Sequence, residues 1–441
     1  MTENLLFKDI FEKNLEIEFT KNDMSSDSGI LLFRPILSKL NLATKMSNIL
    51  HDPRNPLYLQ HTQVELIEQR LAMMICGYND HNDNDYLRND PAFKLFSKGS
   101  NSQVELASTP TMFRFDDRVT LGECKKLVEL QVQLYIERNI KRFDKEFKKK
   151  GFISIDMHAD PTDIQTYGGQ QLALYNTHYS GNCFLPMVIA DGKNGDLICA
   201  FLRPGTKHAC WCLQSVLTRI FKIIEEKYKN VHYNFKADSG FQKEAFFNFL
   251  EKKEHMTFEI ALATNKSLEK LIQGGYHENF EITFENNVLK IYQEFGYKAE
   301  SWTRFRRVVV KIEINRHGQT IRYVMTNEQM TPFETFESYY QRCNVENRIK
   351  ELKSYSGGDR LSAHDFSSNF FRFNLACFVL VTFQEFKKKL PSGTHETSYV
   401  STIREKFIKI AGIIKISTRR VLIELSTNHP SNKFWGPILS T

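Results

Sequence analysis

The chain has 441 residues, 41% of them apolar, with 59 Lys and Arg against 52 Asp and Glu for a formal charge of +7. Such composition excludes a disordered chain and allows roughly two to four domains with sizeable cores. No continuous apolar run reaches the roughly eighteen residues of a bilayer span, and residues 1–14 lack the basic, apolar and small-residue parts of a leader, so a cytoplasmic protein with no membrane partner is expected.

The eight cysteines are scattered, which argues against a disulfide framework. His208, Cys210 and Cys212 have no second pair at zinc-site spacing and read as buried or incidental. Positive charge recurs at Lys141 and Arg142, at 148–150, at Arg304, Arg306 and Arg307, at 387–389, and at Arg419 and Arg420. Each cluster alone is ordinary solvated surface, but their recurrence favours a phosphate-rich partner.

In residues 1–50, Asp27-Ser28-Gly29 signals a turn before the apolar run 30–33, which fits a strand and a helix. From about 61 to 150 the pattern is helical: Val64, Ile67, Leu71 and Met74 recur at helical spacing, and Gly77 can end that helix. The Asn/Asp-rich stretch 78–85 lacks the glycine and final glutamate of a calcium loop and reads as a polar, capping turn. Ser108-Thr109-Pro110 starts a further helix, and 121–150 continues helically to a basic end.

At Gly151 the period changes. Residues 152–156 form a short apolar alternation closing on Asp156, and 184–190 and 197–202 read as two more strands. Then come a helix (209–229), a strand (231–237) ending at Asp238, a helix (242–253) and a strand (258–263). This β-β-β-α-β-α-β order predicts a mixed sheet flanked by helices, the ribonuclease-H-like topology. Short alternating runs at 280–284, 288–292, 307–314 and 320–325 form a β-rich insertion, with Asn286-Asn287 at a hairpin position.

Residues 339–353 have no Gly or Pro and predict one helix. At about 100° per residue, Tyr339, Arg342, Glu346, Lys350 and Lys353 share a stripe, either a solvated ion-pair face or a site for an anion with a metal beside it. A second apolar helix follows at 366–386.

Three acids stand where chemistry gathers in an open sheet: Asp156 and Asp238 at strand ends, and Glu346 on the helix after the insertion. Together they would bind two Mg²⁺ ions, with Mn²⁺ as a substitute, and such a pair stabilises the attacking and leaving oxygens of a phosphoryl displacement. Taken singly, each acid is equally an ordinary turn or helix cap. Asp160 competes with Asp156 as the first acid; Asp156 is preferred because it directly ends the apolar run. Arg342 can grip phosphate bidentately, Lys353 offers a point charge, and Tyr339 can donate to phosphate.

The spacing Tyr339-x2-Arg342-x3-Glu346-x6-Lys353 resembles the signature of bacterial insertion-sequence transposases with a DDE triad, the Tyr-Arg-Glu-Lys group. Segments beginning at Gln69, Leu106, Ala237 and Gln341 resemble one subgroup, insertion-sequence family thirteen-eighty, and the similarity spans nearly the whole chain. The resemblance implies an α/β ribonuclease-H-like catalytic core at 151–264 and 331–386, a β-rich insertion domain at 265–330, an N-terminal mainly helical DNA-binding region at 1–150, and a mixed C-terminal region at 387–441. It makes Asp156, Asp238 and Glu346 the catalytic and metal-binding acids, and Tyr339, Arg342 and Lys353 the DNA-contacting residues; Lys350 is added to the latter from its place on the same stripe. In related enzymes an insertion-domain tryptophan stacks on a flipped base, which points to Trp302 with Lys298 and Arg304; a half-buried tryptophan in a hairpin is the equal alternative. The implied activity is DNA transposition by a homodimer that binds terminal inverted repeats, cleaves the DNA and joins 3′ ends to target DNA. The rival readings are a domesticated, non-catalytic DNA-binding protein and a nuclease that cuts without joining.

Overall fold

The structure, a computed structural model, describes residues 22–99, 104–273, 280–391, 393, 398–417 and 419–439, with the strands Leu5–Phe7 and Leu15–Ile17. The reading of 1–14 as no leader otherwise falls outside these residues, as does 274–279 of the insertion.

A nine-stranded sheet organises the chain. Its strands are β1 (Ile153–Pro161), β2 (Met187–Asp191), β3 (Leu197–Phe201), β4 (Val231–Ala237), β5 (Met256–Leu262), β6 (Phe280–Glu285), β7 (Val288–Tyr297), β8 (Arg306–Asn315) and β9 (Gly318–Thr326). Across the sheet the order is β6-β7-β8-β9-β5-β4-β1-β2-β3. β1, β2 and β3 form an antiparallel meander, β4 lies parallel to β1, and β5 lies parallel to β4. Parallel neighbours need crossovers, and helices Leu213–Lys227 and Glu244–Lys252 lie between β3, β4 and β5 in the chain.

The insertion strands are not a separate sheet. β9 pairs antiparallel with β5, so β6 to β9 extend the sheet that carries the first strands. Asn286 and Asn287, both at positive φ (51° and 61°), close the β6–β7 hairpin as the dipeptide suggests.

Helices cover the sheet. Thr62 and Glu65 form a capping box on Gln63–Cys76, and Gly77 (φ 96°) ends it. The run 30–33 lies in a 3₁₀ turn, Ser28–Phe33, that leads into Arg34–Leu40. In the polar stretch, Asp85 accepts the Thr109 N–H where helix Thr109–Asp117 begins. Helix Leu121–Arg138 lies against β3, where Gln131 bonds both the N–H and the carbonyl of Ala200. One apolar cluster therefore runs from the N-terminal helices through the sheet, with no gap in packing at residue 150, and a smaller one gathers Tyr292, Val309, Val324 and Phe336. Helix Phe366–Lys387 is long and apolar enough to cross a membrane, yet 94% of its apolar window is buried, as in a core helix.

Candidate active site

β1 alternates cleanly. Ile153, Ile155, Met157 and Ala159 are buried in the core, while Ser154, Asp156, His158 and Asp160 point to the other face. The strand does not stop at Asp156; the alternation runs on to Pro161. On the parallel neighbour, Asp156 stands beside Asn234 and His158 beside Lys236. Continuing that register places Asp160 level with Asp238, the N-cap of the turn after β4, while Asp156 lies about 13 Å further back along the strand.

Electrostatics agree with the register. Burial pushes the Asp160 carboxyl up to about 7; Arg342 opposes this, and the like charges of Asp238 and Glu346 add to it. Arg342 Nη1 stands 3.5 Å from Asp160 Oδ1, and its guanidinium lies over the Tyr339 ring. Burial works against the Arg342 charge, but Tyr339, Asp160, Asp238 and Glu346 together hold it more firmly than usual. The Tyr339 hydroxyl approaches Ala237 O at 3.5 Å and is raised by burial and by Asp238, against Arg342. Lys353 Nζ bonds Asp163 Oδ1 (3.1 Å) and Thr162 Oγ1 (3.2 Å) just past β1.

Asp156, the first acid expected from the sequence, does not join this group. Its Oδ2 lies 3.0 Å from His158 Nε2 and 3.5 Å from Lys236 Nζ. Burial works to raise its carboxyl, and these two partners outweigh it and hold it below the ordinary value. Gly192 makes room for the pair: a Cβ there would sit 2.2 Å from His158 Nε2 and 2.4 Å from Asp156 Oδ2.

The expected single helix is three pieces. Pro332–Tyr340 ends at a tight turn, Cys343–Lys350 follows, and Glu351–Tyr355 is a π-helical turn. The pieces still bring Tyr339, Arg342, Glu346 and Lys353 to the ends of β1 and β4, whereas Lys350 lies over the Tyr399 ring.

An all-carboxylate set at a strand end suits a hard divalent cation. Among the described residues no three His, Cys, Asp or Glu side chains form one coordination shell. The chemistry of the donors fits a cation, and the positive charge beside Asp160 is the Arg342 guanidinium.

A family model described as transposase DDE domain group 1 matches residues 7–441. The chain belongs to this family, the DDE transposases. It is a DNA transposase, of an enzyme class that works with divalent metal ions. No curated protein matches it. Among solved structures it is similar to one described as the cryo-EM structure of piggyBac transposase synaptic complex with hairpin DNA. The two share 10% identity over 88% of this chain and 83% of that one, at a TM-score of 0.39, too distant to carry topology or ligands across.

The other expected DNA contacts of the transposase differ in exposure. Trp302 is 7% exposed, edge-on to Phe247 and Tyr297 with Arg306 over its ring, so it presents no free face to a base. Lys298 is exposed, and Arg304 is exposed but paired with Glu251. Several basic clusters serve internal pairs: Arg142 with Asp191, Arg306 with Glu251, Arg307 with Glu294, Lys387 with Glu351. Residues 148–150, Arg419 and Arg420 stay on the surface. Cys210 Sγ approaches Phe241 O, and Cys212 is exposed.

The sequence reading missed Lys236 and Tyr179. Burial, Asp163, Asp160 and Asp238 all raise the Tyr179 hydroxyl, which places it beside the acids. Only its position in the turn-rich stretch after the first strand hints at that.

Proposed function

We propose that Asp160, Asp238 and Glu346 are the catalytic acids of an insertion-sequence transposase and hold two Mg²⁺ ions. The register across β1 and β4, which sets Asp160 level with Asp238, carries this reading and favours Asp160 over Asp156. The five-strand order β3-β2-β1-β4-β5, with its meander and parallel crossovers, supports a ribonuclease-H-like core. When bound, two such ions stabilise the attacking and leaving oxygens of an in-line phosphoryl displacement. Arg342, Lys353 and Tyr339 supply donors for the phosphates of a DNA end. The reaction is hydrolysis of the strand at the terminal repeat, followed by attack of the freed 3′-hydroxyl on target DNA, within a homodimer.

The test is cleavage and strand transfer with Mg²⁺ on a plasmid carrying the coding sequence and its flanking DNA. Asp160→Asn, Asp238→Asn and Glu346→Gln should each lower cleavage by roughly 10³-fold, the equivalent of several kcal/mol of lost charge stabilisation, while DNA binding persists. Normal cleavage by Asp160→Asn would sink the choice of first acid. Cutting without joining would return the reading to a nuclease.

A further inference from the structure

Lys236 is 2% exposed and faces acceptors from three directions. Its Nζ lies 2.8 Å from Ser338 O and 2.9 Å from Ser338 Oγ, with Asp156 Oδ2 at 3.5 Å and Glu259 Oε1 at 3.8 Å. Ser338 Oγ in turn donates to Glu259 Oε1 (2.7 Å), and Asn234 Nδ2 donates to the same oxygen (3.1 Å). Asp156 and Glu259 thus compensate the buried ammonium.

The Ser338 carbonyl sits at the helix break. If Pro332–Tyr340 ran on as an α-helix, that carbonyl would accept the Arg342 N–H, four residues later. Instead the Arg342 N–H goes to Tyr339 O (3.0 Å) and the Gln341 N–H to Ser338 O (3.2 Å), and the chain restarts as a helix at Cys343. No Gly or Pro at 339–343 accounts for the break. The Lys236 ammonium is the contact found on the carbonyl at the break, and a charge-assisted bond is roughly twice as strong as a neutral one.

We propose that Lys236 is a positioning residue of the transposase. By taking the Ser338 carbonyl it fixes the break between the two helices, and so sets the direction in which Arg342 and Glu346 face Asp160 and Asp238. The inference rests on the reading of those acids as the catalytic set. Lys236 lies two residues before Asp238 on β4, and its partner Asp156 lies four before Asp160 on β1. The helix that brings Glu346 is therefore referenced to the same two strands that bring the other acids.

The test compares the full-length wild type with Lys236→Met, the double variant Lys236→Met/Glu259→Gln, and Glu346→Gln. The readouts are Mn²⁺ binding by calorimetry, amide hydrogen exchange across residues 338–350, and Mn²⁺-dependent plasmid cleavage. Lys236→Met should weaken Mn²⁺ binding about tenfold, speed exchange across 338–350, and slow cleavage about a hundredfold, the size of an ångström-scale misplacement. Lys236→Met combined with Glu259→Gln removes the ammonium together with one of its two compensating charges and should shift all three readouts as Lys236→Met does, which decides the matter if Lys236→Met alone does not fold. Wild-type Mn²⁺ binding with unchanged exchange, in folded Lys236→Met or otherwise in the double variant, overturns the proposal. Failure of the catalytic reading is distinct: Glu346→Gln would then cleave normally.

Discussion

The Arg342 guanidinium stands 3.5 Å from the Asp160 carboxyl, which burial and then the charges of Asp238 and Glu346 push up to about 7. Below that pH a divalent cation has to displace a proton from Asp160. Mg²⁺ or Mn²⁺ affinity should therefore climb up to about tenfold per pH unit and level off above about 7. Calorimetry in a pH series bracketing that value reads this directly, and a flat profile would count against Asp160 as a ligand.

The same shift has a stability counterpart. The folded value of about 7 lies above the ordinary 3.8, so between the two the folded chain keeps a proton that the unfolded chain has lost. The Asp160 contribution to unfolding free energy should thus fall as pH rises from about 4 to about 7 and stay level beyond. Mg²⁺ favours the ionised carboxylate and should cancel the fall. Thermal unfolding with chelator and with Mg²⁺ across the window should show the gain from Mg²⁺ growing with pH.

Arg342→Gln removes a positive charge that opposes that rise. Asp160 should then release its proton only at still higher pH, and cleavage at neutral pH should drop roughly tenfold or more, with partial recovery in alkaline buffer. A pH–rate profile of the variant checks this; an unshifted profile would mean that Arg342 acts on DNA alone.

Trp302 offers a contrast between packing and recognition. Its indole is wedged against Phe247, Tyr297 and Arg306, so Trp302→Ala should cost about 3–5 kcal/mol of stability by opening a cavity. Urea unfolding measures that loss, and DNA affinity of the folded fraction should be unchanged. Weakened DNA binding at full stability would restore the stacking role.

Much of the sheet was legible because its apolar alternation is regular: the expected strand 231–237 is β4, and 197–202 matches β3 within a residue. The choice of Asp156 as first acid rested on the strand ending there, and the strand runs on to Pro161. Asp156, His158 and Asp160 interrupt the hydropathy of β1 only on the face turned away from the core, and Met157 and Ala159 carry the strand past them. A period-two reading of the buried face alone would have reached Asp160. The break at Gln341 was illegible locally, since its cause is Lys236, about a hundred positions earlier in the chain and adjacent only once β4 forms.

Because β9 is hydrogen-bonded to β5, the four insertion strands are a stiff cantilever rather than a tethered module. From β4 to β6 there are five strand steps, a span of roughly 24 Å with a cumulative rotation of roughly 100–125° at ordinary strand spacing and twist. A DNA duplex lying along the outer edge would therefore be presented about crosswise to one lying along the strands that carry Asp160 and Asp238. A torque applied at that edge would be passed toward the acids through the hydrogen-bonded sheet itself.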